Sequence, residues 1–170
     1  MPRSRPHAPN GACGWQPWRR SPPPRTQVRI VIDTNVALSA LLWRGTPYRL
    51  LQALRQRGDL QLVSSPTLLE ELSDVLRRPV AAKRLAIIGM TVQEVLADYV
   101  EAVEWVVPTD VPRVVLGDAD DDHVIAAAVA GSATLIVSGD GDLLSIGSYQ
   151  RICIVSARDI LARIDAKGKA

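Results

Sequence analysis

The sequence predicts an α/β fold of three layers, with helices on both faces of a mostly parallel central sheet of about five short strands. Three observations carry this. Short apolar, β-branched runs recur along the chain; each is followed by a stretch of helical periodicity; Gly or Pro punctuates most of the joins. At 170 residues and 47% hydrophobic content, one domain can bury a sizeable core.

Taken in order, VRIVID (28–33) is the first apolar run and reads as a buried strand. NVALSALLW follows as a helix, Gly45-Thr46-Pro47 breaks it, and a second helix covers Tyr48 to Arg57. LQLVSS is the second strand. Pro66 opens the next helix at its first turn, with Leu68, Leu69, Leu72, Val75 and Leu76 along one side, and Pro79 stops it. Residues 80–103 read as two helices parted by Gly89-Met90-Thr91, where Thr91 and Glu94 have capping-box spacing. EWVVP is a third strand. An Asp-rich segment then leads into the helix HVIAAAVAG, the strand ATLIVS and a turn with a short helix in GDGDLLSIG. RICIVS is the fifth strand and ARDILARI the last helix, leaving 166–170 as a tail.

Residues 1–27 are different in kind. They hold seven of the twelve prolines, five arginines and no acid, so they read as a disordered leader outside the fold. The leader carries +5 against a net +2 for the whole chain, which leaves −3 on the remainder. The folded body is therefore mildly acidic and offers no broad basic face for nucleic acid. Phe is absent and aromatics are 4%, which argues against a base-stacking platform for single strands. Cys13 and Cys153 lack any neighbour at metal-ligand spacing and read as two unpaired thiols, suited to a reducing compartment. The longest apolar stretch, Val124 to Val137, is too short and too interrupted to span a bilayer, and no secretory signal is present.

Ligands in an open α/β sheet gather at the carboxyl ends of the strands. Asp33 follows the first strand directly. Asp140 and Asp142 follow the fourth, and Asp118, Asp120, Asp121 and Asp122 open the helix just before it. Glu70 or Glu71 adds a further acid from the helix after the second strand. Singly, each has an ordinary explanation as a helix cap, a dipole partner or a turn residue. Together they repel, and such a cluster costs stability unless a cation neutralises it. Carboxylates without His or Cys suit a hard ion, Mg²⁺ or Mn²⁺, and such ions serve in-line attack on a phosphodiester. His123 lies beside Asp122, but neighbours on a helix point about 100° apart, so it reads as a bystander.

Four segments also carry a family resemblance: VIDTNVALSALLWRGTP, SSPTLLEELSDVL, DADDDHVIAAAVAGSATLIVSGDGDLL and RICIVSARDILARI. In this order and spacing the chain resembles PIN-domain nucleases, and within them the VapC-like toxin components of toxin–antitoxin pairs, over residues 28–164. The resemblance implies a metal-dependent endoribonuclease domain over 28–165, with Mg²⁺ or Mn²⁺ as cofactor. It implies Asp33 as the first acid, with Thr34 and Asn35 orienting it, and Glu71 rather than Glu70 as the motif glutamate. Asp122 is the implied third acid, with Asp120 and Asp121 as helpers. Ser138 and Asp140 match the closing motif, with Asp142 in support. Asp33, Glu71, Asp122 and Asp140 are thereby the implied catalytic and metal-holding set.

An RNA substrate, a cognate antitoxin, a homodimer and a cytoplasmic location follow from the same resemblance. The antitoxin would place an Arg among the carboxylates, and the apolar ridge of Leu38, Leu41, Leu42 and Trp43 with Tyr48, Leu50 and Leu51 is the candidate groove for it, with ordinary core packing or a homodimer contact as the alternatives. The alternatives are an RNA-processing nuclease without an antitoxin and an inactive binding scaffold. A haloacid-dehalogenase-like phosphatase would need an acid at Asn35 and a Thr at Ala37, and has neither. Because relatives of this kind begin almost at the first strand, Val28 is expected to be the true start, read from a GUG codon. A mature N-terminus of Met-Arg-Ile supports that start, and native peptides from residues 1–27 contradict it.

Overall fold

The computed structural model describes residues 27–116 and 118–168. The expected leader, Cys13 and the end of the expected tail lie outside them. Six strands and eight helices follow in the order β1 (Val28–Ile32), α1 (Thr34–Leu42), α2 (Thr46–Gln56), β2 (Leu60–Ser64), α3 (Pro66–Leu76), α4 (Pro79–Ile88), α5 (Val92–Ala102), β3 (Val103–Trp105), α6 (Ala119–Ala130), β4 (Leu135–Val137), α7 (Gly141–Ile146), β5 (Ser148–Tyr149), β6 (Ile152–Val155) and α8 (Ala157–Gly168).

The sheet order is β3-β2-β1-β4-β6-β5, parallel throughout except for β5, which pairs antiparallel with β6. The expected five strands are thus six. The sixth is the two-residue strand β5, from which the chain turns back into β6 at Gln150–Arg151, with Gln150 at φ +53°. Because β2 and β4 flank β1 on opposite sides, the chain reverses its direction of winding at the β1–β4 pair. In a parallel sheet this is where a crevice opens beyond the strand ends.

Strand alternation builds the two cores. Ile30, Leu62, Leu135 and Cys153 pack in the cluster beneath α1, α2, α3, α5 and α8, whereas Val31, Val63, Ile136 and Ile154 pack against α6 and α7. Near-continuous apolar strands are what a sheet covered on both faces requires. The Thr91–Glu94 capping box forms as expected, each residue bonding the other's backbone N–H. Three expectations are corrected. Cys153 is disulfide-bonded rather than an unpaired thiol, so the argument for a reducing compartment falls with it. Of the proposed apolar ridge, Leu42, Leu50 and Leu51 belong to the core, and Trp43, at 38%, is its most exposed member. The helix read from His123 begins four residues earlier, which brings Asp120, Asp121 and Asp122 into its first turn.

Gly131 ends α6 where that helix crosses β2. A Cβ there would meet Val63 Cγ1 at 2.7 Å and the Ala127 carbonyl at 3.1 Å. Gly131→Ala is expected to cost about 1–3 kcal/mol of unfolding free energy through overpacking, read by urea denaturation. Gly58→Ala, which meets nothing within 4 Å, is the matched control and should stay near wild type. Equal midpoints for the two would show that α6 does not sit this close to the sheet.

Candidate active site

The ends of β1 and β4 are joined by a short network of hydrogen bonds. Asp33 caps α1, its Oδ1 accepting the Val36 N–H at 2.9 Å, while its Oδ2 accepts the Ser138 hydroxyl. Ser138 Oγ in turn accepts the Asp140 N–H at 2.9 Å, and Asp140 Oδ1 accepts the N–H of Asp142 at 2.7 Å as it caps α7. One buried hydroxyl therefore ties two carboxylates from neighbouring strands to one place.

A cleft of about 200 Å³ opens beside them, lined by Asp33, Glu71, Asp118, Asp120, Asp121 and Asp140, with Thr34, Asn35 and Arg78 at its edges. Glu71 faces the cleft from α3, whereas Glu70 is exposed. The Glu71 carboxyl is pushed up from its ordinary pKa, first by burial and then by Asp120, Asp33 and Asp118, with the Thr34 hydroxyl acting the other way. Asp121 is pushed up to about 7, again first by burial and then by Asp140, Asp118, Asp33 and Asp142. Its Oδ2 is buried without a hydrogen-bond partner. An orphaned carboxylate oxygen among four like charges is a place a cation fits. Among the described residues no three His, Cys, Asp or Glu side chains already form a group set to hold an ion. That agrees with mutual repulsion holding the uncompensated carboxylates apart.

The structure does not bring Asp122 into this cleft. Its carboxylate is 2% exposed, and Oδ1 accepts the N–H groups of Val114 and Val115, both at 2.9 Å. It anchors the loop that precedes α6. The acids that line the cleft are instead Asp118 and Asp121, three residues apart and so on one helix face, with Asp120 also at the wall. Spacing from Asp118 is the signal that would have singled out Asp121. Asp142 is exposed and does not line the cleft; its charge adds to the field on Asp121. His123 makes no contact with the cleft.

A family model described as a PIN domain matches residues 29–142. The chain belongs to the PIN domain family. In fold it is similar to a chain of VapBC2 from Rickettsia felis, solved bound to a DNA fragment from their promoter. The TM-score is 0.50 at 15% identity, covering 75% of this chain and 97% of that one. A comparison with curated proteins finds no match.

The charge cluster has a measurable consequence. Asp121 is pushed up to about 7 in the folded chain, against its ordinary 3.8 when unfolded, so between these values the folded state binds the extra proton. Stability of the metal-free protein should therefore fall as pH rises from about 4 to about 7. Asp121→Asn should remove part of that fall, giving a Tm above wild type at pH 7.5 and equal to it near pH 4 in chelator. Asp122→Asn should lower Tm at both pH values, because it weakens a buried acceptor of two N–H groups. A lower Tm for Asp121→Asn at pH 7.5 would contradict the assignment of strain to this carboxylate.

Proposed function

We propose that this protein is a Mg²⁺- or Mn²⁺-dependent endoribonuclease acting as the toxin of a toxin–antitoxin pair. The observation that carries the nuclease reading is the acidic cleft at the β1–β4 switch point, with an orphaned Asp121 oxygen, in a chain of the PIN domain family. Asp33, Glu71, Asp121 and Asp140 are the proposed metal-holding set, with Asp121 taking the place first assigned to Asp122. When bound, such ions supply an activated water and neutralise the charge that builds on an in-line phosphodiester. Ser138 keeps Asp33 and Asp140 in register through its two hydrogen bonds. Thr34 and Asn35 lie in the first turn of α1, where Asp33 is the cap, and Arg78 stands at the rim as a cation for an incoming phosphate. Asp118, Asp120 and Asp142 deepen the negative field that attracts the ions.

The partner reading rests on a groove of about 260 Å³ between α1, α2 and α4. Leu41, Trp43, Tyr48, Ile88 and Met90 line it, with Trp43 38% exposed. Arg44, Arg55, Arg84 and Asp98 line it as well, so the groove suits an amphipathic antitoxin segment that sets apolar side chains on Leu41, Trp43 and Ile88 and acidic ones on the arginines. The structural similarity to a VapBC2 chain supports this reading in fold alone. A homodimer belongs to the same proposal, and Val107 and Leu116 offer it exposed apolar surface. Among the described residues no helix is long and apolar enough to cross a membrane. A cytoplasmic location follows from the proposed RNA substrate.

The purified chain should cut labelled single-stranded RNA internally with Mg²⁺ or Mn²⁺ and stop in EDTA. Asp33→Asn, Glu71→Gln, Asp121→Asn and Asp140→Asn should each lower the rate on the order of a hundred-fold or more, and pairs of them should add little. Cleavage that survives EDTA overturns the metal reading. Expression of the full chain should arrest growth, and Asp33→Asn should abolish the arrest. A chain that cuts RNA in vitro yet is harmless in the cell keeps the nuclease and loses the toxin.

A further inference from the structure

The acidic cleft continues past Asp140. Beyond it lies a second cavity of about 400 Å³, and Asn35 and Asp140 line both, so the two form one trough across the first turn of α1. The second half is opposite in chemistry. Ser39, Thr46, Ser156 and Arg158 make its wall, and Asp140 is its single carboxylate. Among the described residues the side chains of Ser39, Thr46 and Arg158 have no hydrogen-bond or ion-pair partner, whereas Ser156 is engaged with Asp159. An exposed guanidinium and two idle hydroxyls thus face the same space. The first turns of α1, α2 and α8 open onto it as well, and Gly45, which precedes α2, supplies no side-chain acceptor. Between the halves sits Gly139, exposed, where a Cβ would find nothing nearer than Val36 Cγ2 at 4.0 Å. A longer side chain there would stand in the trough.

Val36, Pro47 and Ala157 line the second cavity beside these polar groups, so a guanidinium and hydroxyls among apolar patches suit a phosphate diester with part of its sugar better than a bare metal ion. A nucleic-acid strand carries one charge per nucleotide. Placing one phosphate among carboxylates brings its neighbour near the same negative field, and a cationic, hydroxyl-bearing pocket offsets that repulsion. At about 400 Å³ the pocket holds more than a phosphate group alone and admits part of its nucleoside.

We propose that this cavity is the subsite for the RNA phosphate adjoining the one cut, gripped by Arg158 with Thr46 and Ser39, and that it sets the register of the strand in the cleft. The proposal rests on the endoribonuclease reading of the neighbouring carboxylates, and its test separates the two.

Binding of a labelled, mixed-sequence single-stranded RNA to the full-length Asp33→Asn protein is followed by anisotropy across a KCl series with Mg²⁺ present. Adding Arg158→Ala should weaken binding about tenfold and lower the slope of log K against log salt by about 0.7, the loss of one phosphate contact. Arg158→Lys should restore the slope. Gly139→Leu should weaken binding with the slope unchanged or lower. In the cleavage arm, a neutral methylphosphonate is walked along the substrate of the otherwise wild-type chain. One position flanking the cut should slow the reaction, and in Arg158→Ala that position should lose its effect. Unchanged affinity and slope in Arg158→Ala, or equal sensitivity to the neutral linkage in both proteins, overturns the subsite. A wild-type chain that never cuts RNA, with the binding arm as expected, overturns the nuclease reading and supports the backbone-phosphate site.

Discussion

Asp33 accepts the Ser138 hydroxyl on one carboxylate oxygen and the Val36 N–H on the other, and most of the site hangs on that pair of bonds. The first crosses from the end of β4 to the end of β1; the second starts α1. Backbone bonds from Asp33 N–H to the Val137 carbonyl and from Ser138 N–H to the Val155 carbonyl, both 3.0 Å, extend the sheet ladder to the point where the strands release the chain. The carboxylate is consequently buried, oriented and unable to turn away from its neighbours. Asp140 follows two residues after Ser138 and is held by the same hydroxyl. A serine that donates to one acid while accepting from the backbone of another can serve both because a hydroxyl has one donor and two acceptor sites.

Around that fixed pair the fold collects charge that it does not compensate internally. Glu71 arrives from α3 and Asp118, Asp120 and Asp121 from the start of α6, while among the described residues Arg78 is the one cation lining the cleft. The raised pKa values of Glu71 and Asp121 are the energetic signature of this arrangement. Elsewhere the protein pairs its charges in ordinary ways, as Arg29 does with Glu104 at 2.7 Å and Arg57 with Asp59 at 2.7 Å. Among the described residues, Glu71 and Asp121 are the carboxylates raised by burial and like charge, and both line the crevice at the switch point of the parallel sheet. The polarity then reverses within one trough, from carboxylates to hydroxyls and Arg158.

Much of this was legible before any coordinates. Burial on both faces is written in the near-continuous apolar runs VRIVI, LQLVS and ICIV, and Pro66, the Thr91–Glu94 box and Gly131 mark helix ends by local chemistry. Asp33 and Asp140 could be placed because each follows a strand, whereas the residues alone left Glu70 and Glu71 open and only the family resemblance pointed to Glu71. Asp122 could not be separated from Asp121 in the same way. Both lie in the first turn of α6, and what decides between them is the pairing of Asp122 with Val114 and Val115, a contact made by an irregular loop without periodicity. Strand β5 was hidden for a similar reason: two residues cannot show a period, and the turn that returns the chain to β6 runs through Gln150 at φ +53° rather than through a glycine. The disulfide at Cys153 had no local signature either.

The account stands on Asp121, not Asp122, completing a cation site with Asp33, Glu71 and Asp140. Manganese binding to the full chain, measured by electron paramagnetic resonance at neutral pH, tests this most directly. The account predicts saturable binding by the wild type, its loss in Asp121→Asn, and its retention in Asp122→Asn protein that is still folded. Retained binding in Asp121→Asn together with loss in folded Asp122→Asn would contradict it.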